Sequence, residues 1–215
     1  MSNVSSFTVI IQAGGRSSRM GQDKALMPFL GRPLIARLVD RLLSGGAGLP
    51  GFSIAVVASH PEAYRFLGIP VFPDLLPGEG PLGGLLTALE VSTAEVVAVT
   101  ACDMPFLNPA LLLAQRDLLL VEGADVVIPR SADGLEPLHA VYRRGVCLPA
   151  VRAALAAGER RMTAWLRAVR VREMAPAEAL AVDPDGLSFT NINTPEEFAR
   201  AEREAARREG PPSTG

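Results

Sequence analysis

Aromatic side chains, cysteines and long apolar runs are all scarce in this sequence of 215 residues. Aromatic residues make up 5% of the chain and hydrophobic residues 48%, so we expect a core built mainly from Leu, Val, Ala and Ile. That composition suits helices layered on a parallel sheet. The two cysteines, Cys102 and Cys147, lack the spacing of a metal site. With no signal peptide and no apolar span of about 18 residues, the sequence predicts a cytoplasmic protein with reduced thiols and no membrane partner.

The charge balance limits the possible ligands. The formal net charge is −2 at pH 7, which argues against a broad nucleic-acid surface but allows local arginine clusters that hold a small polyanion. The length fits one domain, with two small domains as the alternative, and we expect a single domain over residues 1–209. Gly210 and the two prolines after it end the last helix, and residues 210–215 are predicted to be a disordered tail.

The segment from Phe7 to Lys24, FTVIIQAGGRSSRMGQDK, is the most informative part of the chain. An apolar run of β-branched residues breaks into Ala13-Gly14-Gly15, and Arg16, Arg19 and Lys24 follow. Glycines let a ligand lie against bare backbone, and these cations suit phosphate oxygens. A surface turn with solvated charges is the alternative. The spacing differs from that of a P-loop, so the segment predicts a different loop that binds a nucleotide triphosphate.

Apolar strand patterns and helical patterns alternate along the chain. The strand candidates are Phe7–Gln12, Phe52–Ala58, Ile69–Phe72, Val96–Ala101, Asp125–Ile128 and Leu138–Tyr142. The helix candidates are Leu34–Leu43, Leu82–Val91, Pro109–Val121 and Gly145–Ala157. This rhythm predicts an α/β protein with a three-layer Rossmann-like fold and a mostly parallel central sheet. Ligands then gather beyond the carboxyl ends of the strands.

Two acidic residues stand at such strand ends. Asp74 follows the strand candidate Ile69–Phe72, and Asp103 follows Val96–Ala101. Mg²⁺ takes one or two carboxylates together with phosphate oxygens and water, so Asp103 is the candidate metal ligand. The alternative is a cap on the next helix, but Asn108 before Pro109 is the better N-cap.

The stretch from Gly78 to Gly83 matches the letters GxGxxG, but it does not directly follow a strand, and Pro81 interrupts it. It is better interpreted as a rigid glycine loop in which Gly80 presents backbone groups to a base or sugar. Asp74 would then accept hydrogen bonds from a guanine edge or from ribose hydroxyl groups.

Two further pairs of residues each allow a ligand-binding and a purely structural interpretation. Asn191 and Asn193 place two amides on one side of an extended segment, where turn chemistry before a helix is the alternative. Arg160 and Arg161 either bind a second phosphate or begin an exposed helix.

The remaining candidates have structural explanations. His139 and Trp165 are expected in the core. No credible Ser-His-Asp or Cys-His arrangement is present. Thr194, Pro195 and Glu197 predict the capped start of a C-terminal helix with a solvated charged face.

With these residues in view, the chain resembles the MobA family, the molybdenum cofactor guanylyltransferases, and more broadly the nucleotidyltransferases of the GT-A-like α/β fold. The matching segments occur in the family's order and cover nearly the whole chain: QAGGRSSRMGQDKAL, FPDLLPGEGPLGG, TACDMPFL, EPLHAVYRR, GERRMTAWL and FTNINTPEEF. Related cytidylyltransferases typically have Ala-Ala-Gly at Ala13-Gly14-Gly15, so the resemblance is to the guanylyl branch. Two departures are Gln12, where leucine is usual, and the lack of an asparagine after Ala58.

The resemblance, together with the residue patterns, implies a set of site residues. The nucleotide-binding residues would be Gln12, Ala13, Gly14, Gly15, Arg16, Lys24, Asp74, Gly80 and Asp103. The catalytic residues would be Arg19, Lys24 and Asp103, with Mg²⁺ on Asp103. The candidates for the molybdopterin side are Arg160, Arg161, Asn191 and Asn193.

The implied reaction transfers GMP from GTP to the terminal phosphate of molybdenum-molybdopterin and releases pyrophosphate. The proteins that deliver molybdopterin and accept the product would be transient partners. Two alternatives stay open: a cytidylyl- or sugar-phosphate nucleotidyltransferase, and a non-catalytic nucleotide-binding adaptor.

Overall fold

The computed structural model describes residues 6–13 and 23–210, and its centre is an eight-stranded sheet. The strands are β1 (Phe7–Ala13), β2 (Pro28–Phe29), β3 (Arg32–Pro33), β4 (Phe52–Ala58), β5 (Val71–Pro73), β6 (Val96–Ala101), β7 (Val126–Ser131), β8 (Gly134–Leu135), β9 (His139–Arg143) and β10 (Val171–Met174). The helices are α1 (Leu34–Gly45), α2 (Gly80–Val91), α3 (Pro109–Glu122), α4 (Arg144–Ala156), α5 (Pro176–Val182) and α6 (Pro195–Glu209). The sheet order is β10-β7-β9-β6-β1-β4-β5, β8 pairs with β7, and β2 and β3 form a separate hairpin.

Four neighbouring strands form a parallel block. β1 lies between β4 and β6, and β5 extends the block beyond β4. Their carboxyl ends therefore meet at one edge of the sheet, which is where open α/β sheets bind ligands. This arrangement places Ala101, at the end of β6, beside Gln12 near the end of β1, because the two residues are in register.

β9 interrupts the parallel order. It runs antiparallel to both β6 and β7, and β10 then returns parallel to β7. The connection from β7 to β9, residues 132–138, holds only the short strand β8, whereas a parallel crossover needs about a dozen residues or more. The expectation of a mostly parallel sheet is nevertheless confirmed.

Helices cover both faces of the sheet and complete the three predicted layers. Alternate residues of β1 point to opposite faces: Ile11 packs in the same buried cluster as Leu38 of α1, and Ile10 packs with Leu85 of α2. α3 and α5 lie on the face of α1, and α4 lies on the face of α2. Trp165 is 2% exposed and belongs to the α2–α4 cluster, as its predicted core position requires.

Two predicted helix starts are confirmed by their hydrogen bonds. The Asn108 side chain accepts from the backbone N–H of Ala110 at 3.0 Å and caps α3. At α6, Thr194 Oγ1 accepts from the N–H of Glu197 at 3.2 Å, and Glu197 Oε2 accepts from the N–H of Thr194 at 3.1 Å. This reciprocal pair is a capping box, and it fixes where the C-terminal helix leaves the preceding extended segment.

Some elements differ from the sequence-based expectation. The third strand candidate, Ile69–Phe72, is observed as β5 at Val71–Pro73, and the helix expected from Leu82 begins at Gly80. β10 and α5 were not predicted. β10 is an edge strand whose Arg172 and Glu173 are held by ion pairs, so it lacks the apolar run that marks a buried strand. Apart from Gly210, the predicted disordered tail lies outside the described residues.

No helix within residues 6–13 and 23–210 is both long and apolar enough to cross a membrane.

Candidate active site

Asp103 lies just past the carboxyl end of β6, at the edge where the parallel strands end. Its Oδ1 atom is buried and has no hydrogen-bond partner among the described residues, while Oδ2 lies 3.8 Å from Lys24 Nζ. Burial raises the pKa of Asp103, and the charge of Lys24 opposes that rise. A buried carboxylate oxygen without a hydrogen-bond donor is unfavourable. A bound cation, or a donor group of a ligand, would remove that cost.

Lys24 begins a short 3₁₀ turn, Lys24–Leu26, that follows Asp23. Its Nζ donates to the carbonyl oxygen of Ile192 at 2.7 Å and lies 3.5 Å from Asn193 Oδ1. Lys24 is also the only lysine of the chain, beside 20 arginines. An ammonium group is compact and offers three rotatable donors, whereas a guanidinium is planar and offers its donors in a fixed fork.

The extended segment before α6 connects these two residues through its backbone. The N–H of Ile192 donates to the carbonyl oxygen of Asp103 at 3.0 Å, and the carbonyl of the same residue accepts from Lys24. The Ile192 side chain is fully buried against Phe29, Leu34 and Phe198. Sequence reasoning missed this role of Ile192. The sequence pattern that could have indicated it is a single apolar residue between two asparagines.

The two asparagines flank that anchor. Asn191 and Asn193 are both exposed, on either side of buried Ile192, as the alternation of an extended segment requires. Asn193 reaches Lys24, and the N–H of Asn193 donates to Glu197 Oε2 at 2.6 Å. The structure therefore brings Lys24, Asp103 and Asn193 together from three distant parts of the chain.

Asp74 follows β5 at the same edge and is partly engaged within the protein. Its Oδ1 accepts from the hydroxyl of Thr87 at 2.9 Å and from the N–H of Leu76 at 3.1 Å. Thr87 is fully buried on α2, and its hydroxyl also accepts from the N–H of Leu75 at 3.1 Å. These bonds fix the loop after β5 against α2. Sequence reasoning did not single out Thr87, whose neighbours are all apolar or small.

Gln12 and Ala13 end β1 beside α2. A Cβ built on Gly84 would lie 2.6 Å from Gln12 Oε1 and 3.2 Å from Nε2, so the carboxamide lies directly against the helix backbone, where only glycine leaves room. Gln12 Nε2 is buried and has no partner among the described residues. Gly80, the first residue of α2, has a φ of 70°, a backbone conformation that favours glycine.

The two arginines after α4 lie beside the start of α2. Arg160 forms an ion pair with Glu79, the residue before Gly80, and also donates to the carbonyl oxygen of Glu159 at 2.9 Å. Arg161 is exposed. Arg160 is thus held beside the glycine loop by a carboxylate rather than in a plain solvated helix start.

The remaining predicted residues, Gly14, Gly15, Arg16 and Arg19, lie outside the described residues. Their chain positions follow the carboxyl end of β1. Within residues 6–13 and 23–210, no group of three or more His, Cys, Asp or Glu side chains is arranged to hold a metal ion.

Comparison with known proteins gives consistent results. The family model of the MobA-like NTP transferase domain matches residues 9–173, which end before the Asn191–Asn193 segment. The chain is 36% identical over 195 residues to the probable molybdenum cofactor guanylyltransferase of Pelotomaculum thermopropionicum, covering 90% of this chain and 91% of the relative. It is 35% identical over 198 residues to the molybdenum cofactor guanylyltransferase of Desulfosudis oleivorans, covering 91% of this chain and 94% of that protein.

A solved structure is also similar over almost its full length. The molybdopterin-guanine dinucleotide biosynthesis protein A of Archaeoglobus fulgidus superposes with a TM-score of 0.78 at 26% identity, covering 93% of this chain and 99% of that one. The sheet architecture agrees with these matches. The chain belongs to the family of proteins with a MobA-like NTP transferase domain.

Proposed function

We propose that this protein is a molybdenum cofactor guanylyltransferase. It transfers GMP from GTP to the terminal phosphate of molybdenum-molybdopterin and releases pyrophosphate. The relatives at 35–36% identity carry this activity in their names, and they align over about nine-tenths of this chain. The single observation that carries the proposal is the pairing of Lys24 with Asp103 at the carboxyl edge of the sheet, 3.8 Å apart.

Asp103 fits a Mg²⁺ ion. Its buried Oδ1, which has no partner among the described residues, is a hard oxygen ligand. A Mg²⁺ ion that also contacts phosphate oxygens needs only one or two carboxylates from the protein. When bound, Mg²⁺ supplies positive charge that stabilises the α-phosphate and the leaving pyrophosphate.

The protein's own contribution is positioning and charge. The attacking terminal phosphate of molybdopterin is already an anion, so the reaction needs no general base. Lys24 places its ammonium group beside Asp103, where it offers donors to phosphate oxygens. Arg16 and Arg19, which follow β1 in the sequence, are proposed to add positive charge. The Lys24 bond to the Ile192 carbonyl holds the ammonium in place before the substrate binds.

The substrates occupy two sides of this pair. On the nucleotide side we place the backbone of Gln12, Ala13, Gly14 and Gly15, together with Asp74 and Gly80. On the molybdopterin side we place Arg160, Arg161, Asn191 and Asn193. Asp74 Oδ1 is engaged by Thr87 and Leu76, so Oδ2 is the oxygen that accepts from the base or the ribose. Transient contacts with the proteins that deliver molybdopterin and accept the product belong to this same proposal.

The test is calorimetric titration with GTP, CTP and ATP in the presence of Mg²⁺, followed by an assay of pyrophosphate release with molybdenum-molybdopterin. The informative variant is Asp74→Asn, because Asn keeps a carbonyl oxygen for Thr87 while its NH₂ group replaces the acceptor Oδ2. We expect wild type to prefer GTP and the variant to lose that preference. The exposed Asp117→Asn is the matched control. Equal or CTP-favouring affinities in wild type would indicate a cytidylyl or broad-specificity transferase, and no nucleotide binding would indicate an adaptor.

A further inference from the structure

We propose that Tyr64 is a positioning residue for Lys24 and that it acts through Asp23. The geometric part of this inference, that Tyr64 fixes Lys24, stands on the structure alone. Its consequence for the reaction rests on the proposed function. Nothing in the sequence motifs marks Tyr64, which lies in a 3₁₀ segment, Pro61–Leu67, between β4 and β5.

Tyr64 is too deeply buried to touch a substrate. Its side chain is 1% exposed and packs in the cluster beneath α1, and its hydroxyl donates to Asp23 Oδ2. A buried tyrosine hydroxyl needs a hydrogen-bond partner, and here that partner is a carboxylate, which makes the bond stronger than a neutral one. Burial, together with the bond to Asp23, raises the pKa of Tyr64, so the hydroxyl remains a donor at physiological pH.

Asp23 divides its two oxygens between two tasks. Oδ2 accepts from Tyr64, while Oδ1 accepts from the N–H of Ala25 at 3.1 Å and caps the turn that Lys24 begins. The carboxylate is thereby held toward the tyrosine. It caps the turn without neutralising the adjacent ammonium, which instead reaches Ile192 and Asp103.

A continuous series of hydrogen bonds therefore connects Tyr64 to the turn that Lys24 begins. The tyrosine is anchored in the core, the carboxylate is anchored on the tyrosine, and the turn is anchored on the carboxylate. Loss of the hydroxyl frees Asp23 to rotate toward Lys24, where an ion pair would compete with the Ile192 and Asp103 contacts. A residue that served only to fill the core would act through its ring and not through its hydroxyl.

The lone lysine gives a direct readout that needs no nucleotide. Lys24 is the only ε-amine of the chain, so acylation by an N-hydroxysuccinimide ester, followed by peptide mass spectrometry, reports on this one group. We expect Tyr64→Phe to change the acylation rate of Lys24 by about threefold or more. The matched control is Tyr142→Phe, which removes the only other tyrosine hydroxyl, a buried donor to the carbonyl of Pro137 at 2.6 Å. The control should leave the rate within about 1.5-fold of wild type.

The effect on the site is measured by a double-mutant cycle. Tyr64→Phe should weaken Mg–GTP binding about five- to tenfold in wild type but less than about twofold in the Lys24→Ala background, because its effect passes through Lys24. An equal loss in both backgrounds, or an unchanged Lys24 acylation rate, would overturn the proposal. Asp23→Asn, which keeps the cap of the turn, is the second variant if Tyr64→Phe does not fold.

The same measurements distinguish an error in the proposed function from an error in the role of Tyr64. If wild type binds no nucleotide while Tyr64→Phe still alters Lys24 acylation, the proposed function is wrong and the positioning of Lys24 is supported. If wild type binds GTP and Lys24 acylation is the same in all three proteins, the function is supported and the role of Tyr64 is wrong.

Discussion

Lys24 Nζ lies closer to the carbonyl oxygen of Ile192, at 2.7 Å, than to the carboxylate of Asp103, at 3.8 Å. Of these two contacts, the shorter is thus to the backbone of a segment beyond the matched family region, residues 9–173. The same residue donates its N–H to the Asp103 carbonyl at 3.0 Å. One buried backbone unit therefore sets the positions of both charged groups.

Replacement of Asp103 should separate activity from folding. Asp103→Asn removes the charge from a buried oxygen that has no partner in the described structure, so we expect the melting temperature to stay the same or to rise. Pyrophosphate release should fall by about 100-fold or more, since charge stabilisation dominates this chemistry. Turnover like that of wild type with Mg²⁺ would contradict the metal assignment.

Replacement of Lys24 tests the shape of its site as well as its charge. Lys24→Ala should lower kcat/KM by orders of magnitude, and Lys24→Arg should not restore it, because a longer, planar guanidinium does not reproduce the ammonium contacts to Ile192 and Asp103. Steady-state kinetics of both variants measure these changes in kcat/KM. A change of less than about threefold in kcat/KM for Lys24→Ala, under about 1 kcal/mol, would show that this lysine is a solvated surface group.

Gln12 should lower the stability of the free protein. Its buried Nε2 has no partner among the described residues, and an unsatisfied buried donor costs about 1–3 kcal/mol. Gln12→Met keeps the unbranched shape that fits against Gly84, so we expect the free energy of unfolding to rise by about 1 kcal/mol. Urea unfolding measures this change. A lower midpoint in the variant would mean that the amide is satisfied in solution.

His139 should make stability depend on pH. Burial lowers its pKa to about 4, and its Nδ1 lies 3.2 Å from Gln115 Nε2. The unfolded imidazole titrates at about 6.5, so the unfolded state binds an additional proton between these values. The contribution of neutral His139 to the free energy of unfolding is complete above pH 6.5. It is lost as the pH falls toward 4, which lowers that free energy by roughly 2–3 kcal/mol.

The test compares melting temperatures at pH 7, 6 and 5. In His139→Gln the melting temperature should fall less between pH 7 and pH 5, because the variant has no imidazole to protonate at this position. The only other histidine, His60, is exposed, and His60→Gln is the matched control. An equally steep decrease in His139→Gln would assign the pH dependence to other groups.

The sequence predicted most of the architecture because the signals are local. Alternating apolar runs and helical periods identify β1, β4, β6, α1 and α3 within a few residues, and caps at Asn108 and Thr194 mark two helix starts. Strand-end carboxylates at Asp74 and Asp103 followed from the same logic, because a charge after a buried run has no use in the core.

The sequence could not predict features that depend on pairing between distant segments. The antiparallel direction of β9 is set by the short connection that precedes it and by its two neighbours. The charged edge strand β10 is stabilised by side-chain partners from other elements, which leave no periodic pattern.

The order of residue types along the chain sets the chemical groups available to this protein: glycines and cations after the first strand, one lysine, and single carboxylates at strand ends. Which of these groups lie close together depends on packing between distant segments. Lys24, Asp103 and Asn193 come together because Ile192 is buried against Phe29, Leu34 and Phe198, and the backbone of Ile192 bonds to both charged residues. Such contacts depend on burial and on backbone hydrogen bonds, which every residue can make, so residue identity alone does not reveal them.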